Sequence, residues 1–104
     1  MLLSTQDHFE DREISVTLGL VRGNTIRARH VGKDIMAALR NVVGGEVLEY
    51  TKMMAEAREQ ALDRMLARAE ELGADAVVAI RFTSASVMSG AAEIVAYGTA
   101  VQLK

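Results

Sequence analysis

Residues 47–72 read VLEYTKMMAEAREQALDRMLARAEEL and contain neither glycine nor proline. The run is rich in Ala, Leu, Met, Glu and Arg, which favour helices. Its apolar residues recur every three or four positions, as in an amphipathic helix: Tyr50, Met54, Ala57, Ala61, Met65, Ala69 and Leu72, with Leu62 and Leu66 beside them. Gly73 follows, where a left-handed cap commonly ends a helix. The sequence therefore predicts a long helix over 47–72 that packs on another layer.

The sequence before this helix predicts strands and a shorter helix. Apolar residues alternate with small or polar ones from 14 to 20, which indicates a strand with one buried face. A turn at Arg22, Gly23 and Asn24 would lead to a short second strand over 25–29. From Lys33, apolar residues recur at helical spacing as far as Gly44 and Gly45, which predicts a helix of about three turns.

The sequence after the long helix predicts a hairpin of two strands. Residues 76–80 are continuously apolar, as in a strand buried on both faces. Residues 81–84 alternate between polar and apolar, which predicts that the strand continues there with one face exposed to solvent. Ser89 and Gly90 indicate a turn, and 94–101 predict the last strand. The order of elements favours an α+β domain. In this domain a small, mostly antiparallel sheet carries the long amphipathic helix and the shorter helix on one face.

Composition sets the class of protein. The chain has 104 residues, half of them apolar, a formal charge of −2 and no cysteine. Its length predicts one domain over 1–104. The absence of cysteine excludes disulfides and thiolate metal sites. The weak negative charge argues against a nucleic-acid partner. Apolar runs far shorter than about 20 residues argue against a membrane span, and without a signal-peptide pattern the expected location is cytoplasmic.

Two histidines are the candidate metal ligands. His8 lies among Asp7, Glu10 and Asp11, and His30 comes four residues before Asp34, so each is a candidate member of a mixed nitrogen and oxygen site. A zinc site needs three or four protein ligands, so neither histidine completes one within a single chain.

No recognised catalytic or cofactor motif is present. No serine lies in a nucleophile elbow, and the glycine-rich segments 19–23 and 31–34 lack the spacings that hold phosphates. We therefore predict that the chain is not an enzyme and takes no cofactor. A site that His30, Asp34 and arginines of two copies form together remains an alternative.

Several segments of the chain form a pattern that can be compared with known families: Asn41-Val42-Val43-Gly44-Gly45-Glu46, Tyr50, Ala57-Arg58-Glu59, Glu71-Leu72-Gly73-Ala74-Asp75-Ala76-Val77-Val78 and Gly98-Thr99-Ala100-Val101. Together they resemble the YbjQ-like family of small bacterial and archaeal proteins. The resemblance covers essentially the whole chain. It implies a small α+β subunit that assembles into a ring, a homopentamer, and the family is described as heavy-metal-binding.

Two functions are compatible with these features. The first is a non-enzymatic homo-oligomeric ring that binds a metal ion or small ligand at subunit interfaces. Without cysteine, a soft-metal site would draw on His8, His30 or methionines of several copies. The second is a scaffold that binds a partner protein through the acidic helix face around Glu56 and Glu59.

Overall fold

The computed structural model describes residues 1–28, 48–88 and 91–104. In that part of the chain the elements are, in order, β1 (Leu2–Leu3), β2 (Ile14–Ala28), α1 (Leu48–Glu71), β3 (Ala76–Met88) and β4 (Ala91–Leu103). The shorter helix predicted from Lys33, with Gly44 and Gly45 after it, and the turn predicted at Ser89 and Gly90 lie outside the described residues.

The strands form one mixed sheet in the order β1-β3-β4-β2. β4 is antiparallel to both β2 and β3, whereas β1 is parallel to β3. α1 packs on one face, mainly against β2 and β4. The predicted α+β class, with the long helix across a mostly antiparallel sheet, is therefore confirmed, but β1 was not predicted.

The long helix matches its prediction to within one residue at each end. Gly73 has a φ of +78°. The Ala74 amide donates to the Ala69 carbonyl oxygen at 3.1 Å, and the Gly73 amide donates to that of Glu70 at 3.0 Å. These two hydrogen bonds form a Schellman cap, which ends the helix. Leu72, predicted as the last residue of the apolar stripe, is 47% exposed because it follows the last helical residue.

α1 is not a membrane-spanning helix, and no other helix among the described residues is long and apolar enough to cross a bilayer.

The contact between α1 and the sheet is made by small residues. Ala57, Ala61 and Ala69 are buried around Met65, which is fully buried. A Cβ added at Gly23 of β2 would overlap the backbone of Ala61 and Met65. The backbone of α1 therefore lies directly against that of β2, and only glycine leaves enough room there.

The predicted turn at Arg22, Gly23 and Asn24 is wrong. β2 passes through these residues without interruption, and they pair with Tyr97, Ala96 and Val95 of β4. Among the described glycines, Gly19 and Gly73 have a positive φ and Gly23 does not. Gly23 is therefore required for close packing against α1 and not for a change of chain direction.

β3 is buried in its first half and exposed in its second. Ala76, Val77, Val78 and Ile80 are buried, as predicted. The pairing with β4 shifts between Val78 and Arg81, where Ala79 has a φ of +54°. The side chains of 81–86 are all exposed, because α1 covers β2 and β4 and barely reaches β3. The predicted change from a buried to a solvent-exposed strand is thus confirmed.

Thr25 of β2 is a buried polar residue beneath the helix. It is 2% exposed, and its hydroxyl oxygen has no hydrogen-bond partner among the described residues. Because an unpaired buried hydroxyl is costly, we expect Thr25→Val to raise the free energy of unfolding by about 1 kcal/mol in urea titration. Thr17→Val, at an exposed position of the same strand, is the control. A loss of stability in Thr25→Val would contradict the unpaired hydroxyl.

Candidate functional site

The segment that carries His8 is attached to the outer edge of β3. The Ser4 amide donates to the Val77 carbonyl oxygen at 3.0 Å, and the Ile80 amide donates to that of Ser4 at 3.1 Å. The Ala79 amide donates to the carbonyl oxygen of Gln6 at 2.8 Å. The sheet therefore fixes the chain immediately before His8.

His8 forms a pair with its neighbour Asp7. Its Nδ1 lies 2.7 Å from Asp7 Oδ1, and the two side chains are 63% and 86% exposed. The pair offers one nitrogen and one carboxylate donor at an open surface. His30, the second candidate ligand, and Asp34 lie outside the described residues.

A heavy-metal ion does not fit the described residues of one copy. Residues 1–28, 48–88 and 91–104 contain no group of three or more His, Asp or Glu side chains close enough to hold a metal ion. A structural zinc takes four protein ligands and a catalytic zinc takes three. The Asp7–His8 pair supplies two, so a metal site that uses it needs donors from elsewhere.

The Asp7–His8 contact has a measurable consequence for titration. The pKa of Asp7 lies below its ordinary value, chiefly because His8 hydrogen-bonds to the ionised carboxylate and secondarily because of its positive charge. We expect His8→Ala to raise the pKa of Asp7 towards its ordinary value in a carboxyl NMR titration. Thr5→Ala is the control, and an unchanged Asp7 curve in His8→Ala would contradict the contact.

Three of the grooves on the surface of the described chain are lined in part by α1, and the first of them lies between α1 and β3. Its walls include Met54, Arg58, Phe82 and Ile94, and its volume is about 330 Å³. Phe82 is 47% exposed there. This β3 groove exists because α1 leaves the second half of β3 uncovered.

The second groove is acidic and lies on the β2 side of α1. It holds Glu56, Glu59 and Asp63 above Arg27 of β2, with a volume of about 490 Å³. Arg27 Nη2 donates to Gln60 Oε1 at 2.8 Å, so this strand residue is tied to the helix. Glu56 and Glu59, predicted to mark an acidic helix face, are both exposed and line this acidic groove.

The third groove is a wide cleft of about 890 Å³ along β2 and the end of α1. Arg64 and Arg68 line it, and Arg64 Nη1 donates to the Asn24 carbonyl oxygen at 2.7 Å. Leu20, also in its lining, is 64% exposed, and Ile26 farther along β2 is 58% exposed. Sequence reasoning missed the exposure of these two side chains, because it follows from which face of the sheet α1 covers.

Comparison with known proteins agrees with the resemblance seen in the sequence. A family model described as "Putative heavy-metal-binding" matches residues 1–104. A UPF0145 protein of the archaeon Methanococcus vannielii is 61% identical over 104 residues, which cover all of this chain and 99% of the relative. A UPF0145 protein of the bacterium Clostridioides difficile is 58% identical over all of this chain and 93% of its own length.

One solved structure shares the fold. It is the crystal structure of a protein of unknown function of the DUF74 family from Pediococcus pentosaceus, with a TM-score of 0.61 and 12% sequence identity. The match covers all of this chain and 98% of that one. From the full-length family match and these close relatives, the chain belongs to the YbjQ-like family, which archaea and bacteria share.

Proposed function

We propose that the chain is a non-enzymatic module that assembles into a closed homo-oligomeric ring, a pentamer, and binds a metal ion or small ligand between its copies. The observation that carries this proposal is the exposure of large apolar side chains on the sheet, chiefly Leu20, Ile26 and Phe82. Groups of exposed large apolar side chains commonly mark a surface that contacts another chain. Association of copies removes them from solvent.

A ring also supports the ligand part of the proposal. Cyclic symmetry repeats each side chain once per copy around the axis. The Asp7–His8 pair, insufficient alone, would then be one of several identical pairs. Because imidazole and carboxylate are both ligands for divalent transition metals, zinc, copper and nickel are the metals to test.

Light scattering and native mass spectrometry test the two parts separately. We expect a particle mass that is a multiple of 11.3 kDa, and a complex with zinc, copper or nickel that His8→Ala weakens. Thr5→Ala is the control. A mass of one chain would overturn the assembly. A metal-free oligomer at micromolar metal would overturn the metal part and leave small ligands as the alternative.

A second candidate function is a scaffold that binds a partner protein. The acidic groove favours it, because Glu56, Glu59 and Asp63 present three carboxylates together on an exposed helix face. Reversal of charge in Glu56→Lys/Glu59→Lys should abolish binding of a basic partner. Glu70→Lys on the same helix is the control. Equal binding by both variants would exclude the acidic groove as the docking surface.

A further inference from the structure

The sheet has two open edges of different kinds. β2 is the last strand on one side, and no described strand lies beyond it. On the other side, the N-terminal segment follows β3 only as far as Ile80. The outer edge of β3 from Phe82 to Ala85 therefore also lacks a neighbouring strand among the described residues.

The β2 edge lacks most of the features that protect edge strands. Its pairing with β4 continues without a register shift from Gly19 to Ala28, and it contains no proline. Isolated proteins usually interrupt such edges with bulges, prolines or lysines. Here the exposed side chains include Leu20 and Ile26. A long regular strand with apolar residues at an open edge is suited to pairing with another strand.

The directions of the strands determine what such pairing would produce. β4 is antiparallel to both β2 and β3, so β2 and β3 run the same way. If unlike edges of two copies join, the new pair of strands is parallel, and the resulting dimer still has one open edge of each kind, β3 in one copy and β2 in the other. Such a head-to-tail contact repeats and closes into a ring when the rotation permits.

We infer that the free edge of β2 in one copy pairs in parallel with the free edge of β3 in a second copy of this chain. The inference rests on the proposed assembly and names the surface that forms it. On the face that carries α1, the second copy's helix then lies across the β3 groove. The exposed ring of Phe82 becomes buried between the copies.

The charges on the two sides of this contact are complementary. The groove beside β3 contains Arg58. The acidic groove lies on the β2 side of α1, since Arg27 of β2 forms part of it, and it contains Glu56, Glu59 and Asp63. Edge pairing brings the β2 side of one helix to face the β3 side of the next. A basic side chain therefore meets an acidic groove across the contact.

The absence of cysteine makes this contact directly testable by cross-linking. Ile26 and Ala85 are both exposed and both pair with Glu93, so they lie level on the open face. Neighbouring strands are about 4.8 Å apart. When neighbouring copies pair in this level register, oxidation of the variant Ile26→Cys/Ala85→Cys should therefore form a disulfide between the thiol introduced in β2 of one copy and the thiol introduced in β3 of the next. Within one copy the two positions are two strand spacings apart, which is beyond the reach of a disulfide. We expect a ladder of covalent dimers, trimers and larger species on a denaturing gel.

Single-cysteine variants distinguish unlike from like edges. Ile26→Cys alone and Ala85→Cys alone should give no covalent species, because each contact then carries one thiol. Ile26→Cys/Glu70→Cys, with the second thiol on the outer face of α1, controls for random collision. Dimers in Ile26→Cys alone would overturn the inference in favour of two-fold pairing of β2 with β2.

Light scattering on the same samples separates failure of this inference from failure of the proposed function. An oligomer that gives no ladder in Ile26→Cys/Ala85→Cys, nor in Asn24→Cys/Ala85→Cys or Ile26→Cys/Thr83→Cys, which probe registers shifted by two residues in either direction, would overturn the edge contact and leave the assembly standing. A monomer without a ladder would overturn both.

Discussion

Gly23→Ala is expected to lower the free energy of unfolding by at least about 3 kcal/mol, because overpacking against backbone cannot be relieved by rotating side chains. The added methyl would overlap the carbonyl oxygen of Ala61 and the amide nitrogen of Met65, and would lie 2.7 Å from Arg64 Cβ. α1 would have to move away from β2 as a body. The small residues that now fill the contact would then leave gaps.

Gly19 supplies the matched control in the same strand. It has a φ of +123°, and a Cβ there meets nothing within 4 Å. Gly19→Ala therefore introduces backbone strain of about 1–3 kcal/mol without any clash. Arg64→Gly, which removes the Cβ that the added methyl would meet, should not rescue Gly23→Ala, because the two worst overlaps are with backbone atoms.

Urea titration at fixed protein concentration measures these effects, since the stability of an oligomer depends on concentration. A cost for Gly23→Ala no larger than that for Gly19→Ala would contradict the direct contact between α1 and β2. Rescue by Arg64→Gly would show that the side chain and not the backbone is the obstacle.

Gly23 also shows why the sequence predicted the helix correctly and β2 incorrectly. Residues 47–72 contain their own signal, since helix formers, apolar spacing and the Gly73 cap act within a few residues of one another. Glycine is required at position 23 because the backbone of Ala61 and Met65, about forty residues away in the sequence, lies against it. Without that contact, a glycine followed by asparagine is typical of a turn.

The candidate site was predictable only in part for a similar reason. Glu56 and Glu59 could be assigned to an exposed face because helical spacing gives each side chain a direction. The exposure of Leu20 and Ile26 depends on which face of the sheet α1 covers and on β2 being an edge, which are properties of the whole fold. β1 has two residues and pairs with a strand more than seventy positions later, so local pattern could not reveal it.

Met65→Ala is expected to lower the free energy of unfolding by about 2–5 kcal/mol, the range for removing a large buried side chain. The other buried residues of α1 are Ala57, Ala61 and Ala69, and Met54, Leu62 and Leu66 are only partly buried. Met65 is therefore the one large side chain of the helix that is fully buried in the described chain. Its removal leaves a cavity in the core cluster that also contains Val21 and Val77.

The size of that loss depends on whether α1 can collapse into the cavity. Gly23 already brings the helix backbone against β2, so α1 has no room to approach the sheet more closely. We therefore expect a loss in the free energy of unfolding in the upper half of this range. Leu72→Ala is the control: its side chain is 47% exposed, so the change should be less than about 0.5 kcal/mol. A loss below about 1 kcal/mol for Met65→Ala would mean that the helix can settle onto β2. That result would also contradict the contact on which the Gly23→Ala prediction depends.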